Sequence, residues 1–233
     1  GGARGEVLLR AGARWRLLLR PVDFAALPLR EIPIARGAFA VVTGGLSETG
    51  SAVARWLLEE HAARVLILDV TQEPEPGEDE PTGQRASRLR TLAELRRLGR
   101  VAYAPLDVRD RPRLEEALEQ GRRSLDAPPL SCVFHFAGIR LERPLRELLH
   151  RDLEDALSAR VQGATHLDEL LGRGAETVFV TYSFADADLP SPLGAPQAAA
   201  TAFLRALCAA RRADGAGQSH DLALAQWNRS EER

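Results

Sequence analysis

The chain has 233 residues and a formal net charge of -2, a balance that gives no electrostatic case for nucleic acid or an anionic membrane as partner. All 31 basic residues are Arg and none is Lys, so no side chain can act as a Schiff-base or pKa-steering lysine. A length of this order supports one large α/β core plus a small attachment.

Cys132 and Cys208 lie in apolar contexts without metal-ligand spacing and read as buried free thiols of an intracellular, cytoplasmic protein. No uncharged apolar run is long enough to span a bilayer, and no secretory leader is legible. Met is absent even at position 1, which reads as excision from a longer polypeptide or as processing.

Taken in order, Gly5 to Pro21 sets two alternating apolar segments around Ala11-Gly12-Ala13, a hairpin signal whose second arm carries Trp15, Leu17 and Leu19 on one face. Pro21 to Arg36 has three prolines and no sustained period, and reads as a linker. Residues 1–36 are therefore expected to be the tail of a preceding subdomain, and residues 37–233 the main domain. Ala38 to Val42 reads as a buried strand running into the glycine turn Thr43 to Gly50, and an amphipathic helix follows through Trp56, Leu57 and Leu58. Arg64 to Val70 is a second buried strand, and Thr71 to Gln84, rich in Pro, Gly and acid, a solvated mobile loop. Then come helix Ala86–Leu98, strand Val101–Val108, helix Arg113–Arg123 and strand Leu130–Phe136. A long helical pattern from Pro144 to about Leu171, in one piece or two, precedes strand Thr177–Ser183, helix Gly194–Arg212 and strand Leu222–Trp227. Such alternation predicts an α/β, Rossmann-like, doubly wound parallel sheet with a small N-terminal β-hairpin. Strand, glycine turn and helix at Ala38 to Gly50 is the layout in which a backbone approaches a pyrophosphate at a helix N-terminus.

Thr43-Gly44-Gly45-Leu46 with Gly50, Leu106-Asp107-Val108, His135-Phe136-Ala137-Gly138, the run Ser158 to Ala164, the segment Phe179 to Gln197, Ala198 to Leu204 and Leu222 to Trp227 occur in an order and spacing that resembles one family. It is the short-chain dehydrogenase/reductases, and within it the ketoreductase domains of modular polyketide synthases. The hairpin is similar to the end of the structural subdomain that precedes the catalytic half of such ketoreductases. The resemblance implies reduction of a β-keto group on an acyl carrier protein by NADPH, with a Tyr as proton donor, a Ser polarising the carbonyl, and a Lys and an Asn supporting the relay. As the carbonyl oxygen becomes an alkoxide, some group must donate to it.

Aligned on the family's pattern, the Tyr position holds Gln197, the Ser position Phe184, the Asn position Thr201 and the Lys position Arg160. A carboxamide delivers no proton at useful pH, a phenyl ring has no donor, and a guanidinium is effectively never neutral. Losing general acid catalysis alone costs ~10²–10⁴ in rate. Ser183 is one residue away, and strand alternation turns it to the opposite side. Tyr182, the nearest phenol, reads as a core or sheet-face aromatic, Tyr103 and His135 as structural, and His61, His150, His166 and His220 as surface residues. The stereochemical markers are absent too, because Arg140-Leu141-Glu142 and Leu189 stand at their places.

By resemblance, Gly44, Gly45, Leu46, Gly50, Asp69, Asp107, Val108, Ala137 and Gly138 hold the dinucleotide. Ser47-Glu48 replaces the glycine pair in the turn, and a carboxylate about 4 Å from a phosphate costs ~4 kcal/mol at an effective dielectric of 20. Asp69-Val70 stands where NADPH-preferring members carry a phosphate-compatible residue, and an acid there suits the ribose hydroxyls, so NAD(H) is favoured over NADPH if any cofactor binds. For Asp107, Val108, Ala137 and Gly138, plain strand-end packing is an equal alternative. The chain stops six residues after Trp227, where a substrate lid and a last strand are expected. Three readings stay open. The first is a catalytically inactive ketoreductase-like domain with a structural or docking role among the other domains of its synthase, an acyl carrier protein among them. The others are an active NAD(P)H-dependent reductase using Tyr182 or water, and a nucleotide-binding interaction module that reduces nothing.

Overall fold

The computed structural model describes residues 7–16, 21–28, 32–75, 78, 80–139, 141–174, 176–184 and 193–224. Expectations that fall on Leu17, Leu19, Arg140, Leu189 and residues 225–227 lie outside these. The chain divides into two compact units, Gly1–Glu31 and Ile32–Arg233.

In the first unit, β1 (Val7–Arg10) pairs antiparallel with β2 (Ala13–Arg16), with Arg10 opposite Ala13. The two-residue loop has Ala11 at φ 50° and Gly12 at φ 75°. Both values are left-handed, which matches the twist of a tight hairpin turn. A single 3-10 turn, Phe24–Ala26, follows, and Asp23 Oδ1 accepts from the Ala25 N–H at 3.0 Å.

Among the described residues the second unit holds a six-stranded sheet in the order β5-β4-β3-β6-β7-β8, parallel throughout. Its strands are β3 (Phe39–Thr43), β4 (Arg64–Asp69), β5 (Val101–Pro105), β6 (Leu130–His135), β7 (Val178–Phe184) and β8 (Gln218–Leu224). The helices are α1 (Glu48–His61), α2 (Gly83–Leu98), α3 (Arg111–Ser124), α4 (His150–Leu171) and α5 (Ala195–Ala213). β3 is buried along its whole length because both faces are covered. Ala40 and Val42 pack with Ala54 and Leu57 of α1, while Phe39 and Val41 pack with Leu114 of α3 and Leu167 of α4. Each Val, Leu or Phe side chain among them, fully buried, contributes about 1.5–3 kcal/mol. No helix among the described residues is long and apolar enough to cross a membrane.

The helical pattern starting at Pro144 is the two-piece alternative, a 3-10 turn at Leu145–Glu147 and then α4. Two other elements differ from expectation for local reasons. β8 begins at Gln218, four residues before the apolar run, because an edge strand tolerates polar residues. Thr181 and Ser183 of β7 donate to its Asp221 carboxylate at 2.8 and 2.6 Å. The acidic segment after β4 is tied to α2 by ion pairs from Glu73 to Arg96 at 2.7 Å and from Glu78 to Arg85.

Candidate functional site

The order of the sheet reverses between β3 and β6, and in an open parallel sheet ligands bind at the strand carboxyl ends beside such a switch point. β3 delivers the glycine turn there. Gly44 has φ +62°, and a Cβ at Gly50 would meet the Gly44 carbonyl oxygen at 2.3 Å, so the turn closes this tightly only without side chains at these places. Ser47 completes it, donating from Oγ to the Gly44 carbonyl at 2.7 Å and accepting from the Gly50 N–H at 3.1 Å as N-cap of α1. That bond uses a helix N-terminal donor which a phosphate would otherwise take.

Two cavities open from the turn, divided by Ser47, Phe136 and Gly138, which line both. The first, about 350 Å³, is bounded by Asp69, Arg88, Asp107, Val108, Ala137 and Ala159. Asp69 Oδ1 accepts from the Thr71 N–H at 3.1 Å, the Thr71 hydroxyl at 2.8 Å and Arg88 at 3.3 Å. Arg88, reaching down from α2, also donates to Thr71 Oγ1 at 3.1 Å. Asp107 accepts from the Arg109 backbone N–H at 2.9 Å and from its Nε and guanidinium at 2.8 and 2.6 Å. These bonds hold the Asp107 carboxyl below the usual carboxylate range. Arg109 bridges on to Ser158 Oγ of α4 at 3.2 Å.

His135, at the end of β6, joins β3 to α4. Its Nδ1 lies 2.8 Å from Thr43 Oγ1, and its Nε2 lies 3.3 Å from the Arg160 carbonyl, which can only accept. Nε2 therefore carries the proton and Nδ1 accepts from the Thr43 hydroxyl. The hydroxyl oxygen in turn accepts from the Ala137 N–H at 3.1 Å. Complete burial pushes the imidazole down to about 4.

The second cavity, about 300 Å³, is lined by Glu48, Arg160, Tyr182 and Phe184. The Arg160 guanidinium carbon stands 4.5 Å above the centroid of Phe184, and Tyr182 meets Phe184 edge-on at 5.3 Å and Phe136 at 5.9 Å. Gly138 lets Arg160 pass, since a Cβ there would lie 2.5 Å from its Nε. Gln197 and Thr201, one turn apart on α5, are both buried. Gln197 Nε2 donates to the Leu141 carbonyl at 2.6 Å; its Oε1 and the Thr201 hydroxyl have no hydrogen-bond partner among the described residues. Ser183 faces the other side, toward Asp221.

Among the residues chosen from sequence, Asp69, Asp107, Val108, Ala137 and Gly138 gather around the first cavity with Gly44, while Arg160 and Phe184 meet in the second. Gly45 and Leu46 do not line either; a Cβ at Gly45 would meet Ile67 of β4 at 2.8 Å, so its role is the packing of turn on sheet. Sequence reasoning missed Arg88, Arg109 and Thr43. For Thr43 the signal was its place at the end of β3; the arginines lie in no motif. For a nicotinamide dinucleotide the fit is divided. The first cavity offers carboxylate acceptors and small residues suited to a nucleoside, whereas the second presents a guanidinium stacked on a phenyl ring, with the Tyr182 phenol in its lining.

A parallel sheet with a glycine turn at its switch point defines a protein of the dinucleotide-binding fold. The sequence profile of the KR domain family matches residues 38–228, and the chain belongs to that family. Erythronolide synthase EryA3 of Saccharopolyspora erythraea is 37% identical over 216 residues, covering 92% of this chain and 6% of that protein. The solved structure of PlmKR1, the ketoreductase from the first module of phoslactomycin biosynthesis in Streptomyces sp. HK803, superposes with TM-score 0.73 at 26% identity, over 93% of this chain and 47% of that one. Carveol dehydrogenase from Mycobacterium avium, solved in complex with NAD, is alike in fold at TM-score 0.62 and 20% identity, over 79% of this chain and 69% of that one. The chain spans 2–12% of the length of matched polyketide synthases, so it corresponds to one ketoreductase-type domain within multidomain relatives.

Proposed function

We propose that this chain is a non-catalytic ketoreductase-type domain of a modular polyketide synthase, kept for architecture and for docking the other domains of its synthase, an acyl carrier protein among them, in the cytoplasm. One observation carries the reading: the Arg160 guanidinium lies on the Phe184 ring, 4.5 Å from its centroid. By resemblance these are the positions of the lysine that supports the proton relay and the serine that polarises the ketone. Their side chains make a cation–π contact with each other and offer the developing alkoxide neither a hydroxyl donor nor a titratable amine. Gln197, at the proton-donor position, spends its amide on the Leu141 carbonyl and has no acidic proton.

A second reading, a nucleotide-binding module that positions a neighbour without reducing anything, is favoured by the cavity beside Asp69 and Asp107. Asp69 by itself favours NAD(H) over NADPH there. The test is a turnover assay of the domain with a β-ketoacyl thioester and NADH or NADPH, following nicotinamide absorbance. No rate above background is expected. Turnover that disappears in Tyr182→Phe would replace the reading with an active reductase using that phenol, which lines the second cavity.

A further inference from the structure

We infer that the cleft recognises the adenosine half of a nucleotide and seats no nicotinamide, so that adenine mononucleotides bind it as well as dinucleotides do. The inference deepens the nucleotide-binding reading above and rests on it.

The two cavities differ in what they leave available. In the first, Arg109 makes three bonds to Asp107, one to Oδ1 and two to Oδ2. A carboxylate has about four lone-pair sites, so one acceptor site remains on Oδ1. An exocyclic amine on a planar heterocycle suits that site, with the small side chains of Ala137 and Ala159 beside it to admit the ring. At the far end, all three bonds to Asp69 go to Oδ1, which leaves Oδ2 to accept from a ribose hydroxyl. Arg88 at 3.3 Å offsets the Asp69 charge, which weakens the discrimination between NAD(H) and NADPH drawn from Asp69 alone. A volume of about 350 Å³ is at the small end of ligand pockets, which run roughly 300–1,000 Å³.

In the second cavity the face of Phe184 is already covered by the Arg160 guanidinium, and the Tyr182 edge closes on the same ring. To stack on that ring a nicotinamide would have to displace the cation, and in its oxidised form it would bring a second positive charge beside the guanidinium. The adenosine end has complementary partners, whereas at the other end the aromatic face is already taken by a cation.

The experiment is isothermal titration of the whole chain with AMP, NADH, nicotinamide mononucleotide and IMP. AMP and NADH are expected to bind with dissociation constants within about threefold of each other, and nicotinamide mononucleotide not to bind up to ~10 mM. IMP, whose ring carbonyl would face the Asp107 carboxylate, is expected at least ~10-fold weaker than AMP. Ala159→Leu fills the first cavity and should abolish binding with an unchanged circular dichroism spectrum. Should that variant not fold, Asp107→Asn serves, and is expected to erase the preference for AMP over IMP. NADH binding more than ~10-fold tighter than AMP, binding of nicotinamide mononucleotide, or no AMP binding at ~10 mM would each overturn the inference. Absence of AMP binding leaves the non-catalytic reading intact, whereas reduction of a β-ketoacyl thioester would overturn both, because it requires a seated nicotinamide.

Discussion

A histidine with both ring nitrogens committed inside the protein cannot exchange protons with a substrate, and His135 is in that position. Its place in an HFAG segment was legible, and so was its structural role. Its two partners were not, because Thr43 and Arg160 lie 92 and 25 residues away and are brought to it by folding. The same burial has a consequence for stability. An unfolded His titrates near 6.5 and this one near 4, so between those values the unfolded chain binds the extra proton. Stability is therefore complete above about pH 6.5 and falls as pH drops toward 4, by on the order of 3 kcal/mol. Urea unfolding across that window should show the decline, and His135→Asn should flatten it; equal slopes in the two proteins would refute the assignment.

At the scale of elements, what could be read from sequence depended on burial. β3 and β4 were legible as continuous apolar runs because helices cover both their faces, and α1 because Leu57 and Leu58 recur on its buried side; the cap that Ser47 gives it was not read. β8 was placed too late because its first half is polar, an edge-strand property that only its pairing with β7 explains. Arg88 could not be found, because its reach to Asp69 depends on how α2 seats against the end of β4. Arg211 is a similar case on α5. It is fully buried, paired with Asp168 of α4, bonded to Ser219 Oγ of β8 at 3.0 Å and to the Gly172 carbonyl at 3.1 Å, and stacked 4.8 Å from the centroid of Phe179 on β7. One guanidinium thus joins four elements. Removing one partner of a buried pair typically costs about 3–5 kcal/mol; here Asp168 keeps a second, half-exposed cation in Arg173 at 3.0 Å, which sets the loss at the lower end, about 3 kcal/mol. Arg211→Ala should lower unfolding free energy by that amount in urea titration, whereas Arg211→Lys, which keeps charge but not the planar fork, should lose part of it. A loss below ~1 kcal/mol in Arg211→Ala would place this cluster among contacts of little energetic weight.

For the whole molecule, fold and chemistry are carried by different residues. The sheet core lies between the helices, while the residues that the resemblance sets at the four catalytic positions, Arg160, Phe184, Gln197 and Thr201, are spread over α4, β7 and α5. On that reading the sheet order does not depend on their side chains: three lie on helices, and Phe184 pairs with Leu224 of β8 through its backbone. Residues that act as one catalytic unit are strongly non-additive, since removing any member already forfeits most of the effect. The converse follows for restoration. Gln197→Tyr alone places a phenol with no lysine to lower its pKa and no serine to hold the ketone, and should give no turnover. Arg160→Lys with Phe184→Ser opens the second cavity and frees an amine, but still lacks a proton donor, and should also stay silent. Only the four changes together, Arg160→Lys, Phe184→Ser, Gln197→Tyr and Thr201→Asn, should yield oxidation of NADH or NADPH with a β-ketoacyl thioester, measured beside a thermal melt because losing the Phe184 ring costs about 3–5 kcal/mol. Turnover by Gln197→Tyr alone would show that the remaining positions were competent already, and that the Arg160–Phe184 contact does not stand between this fold and catalysis.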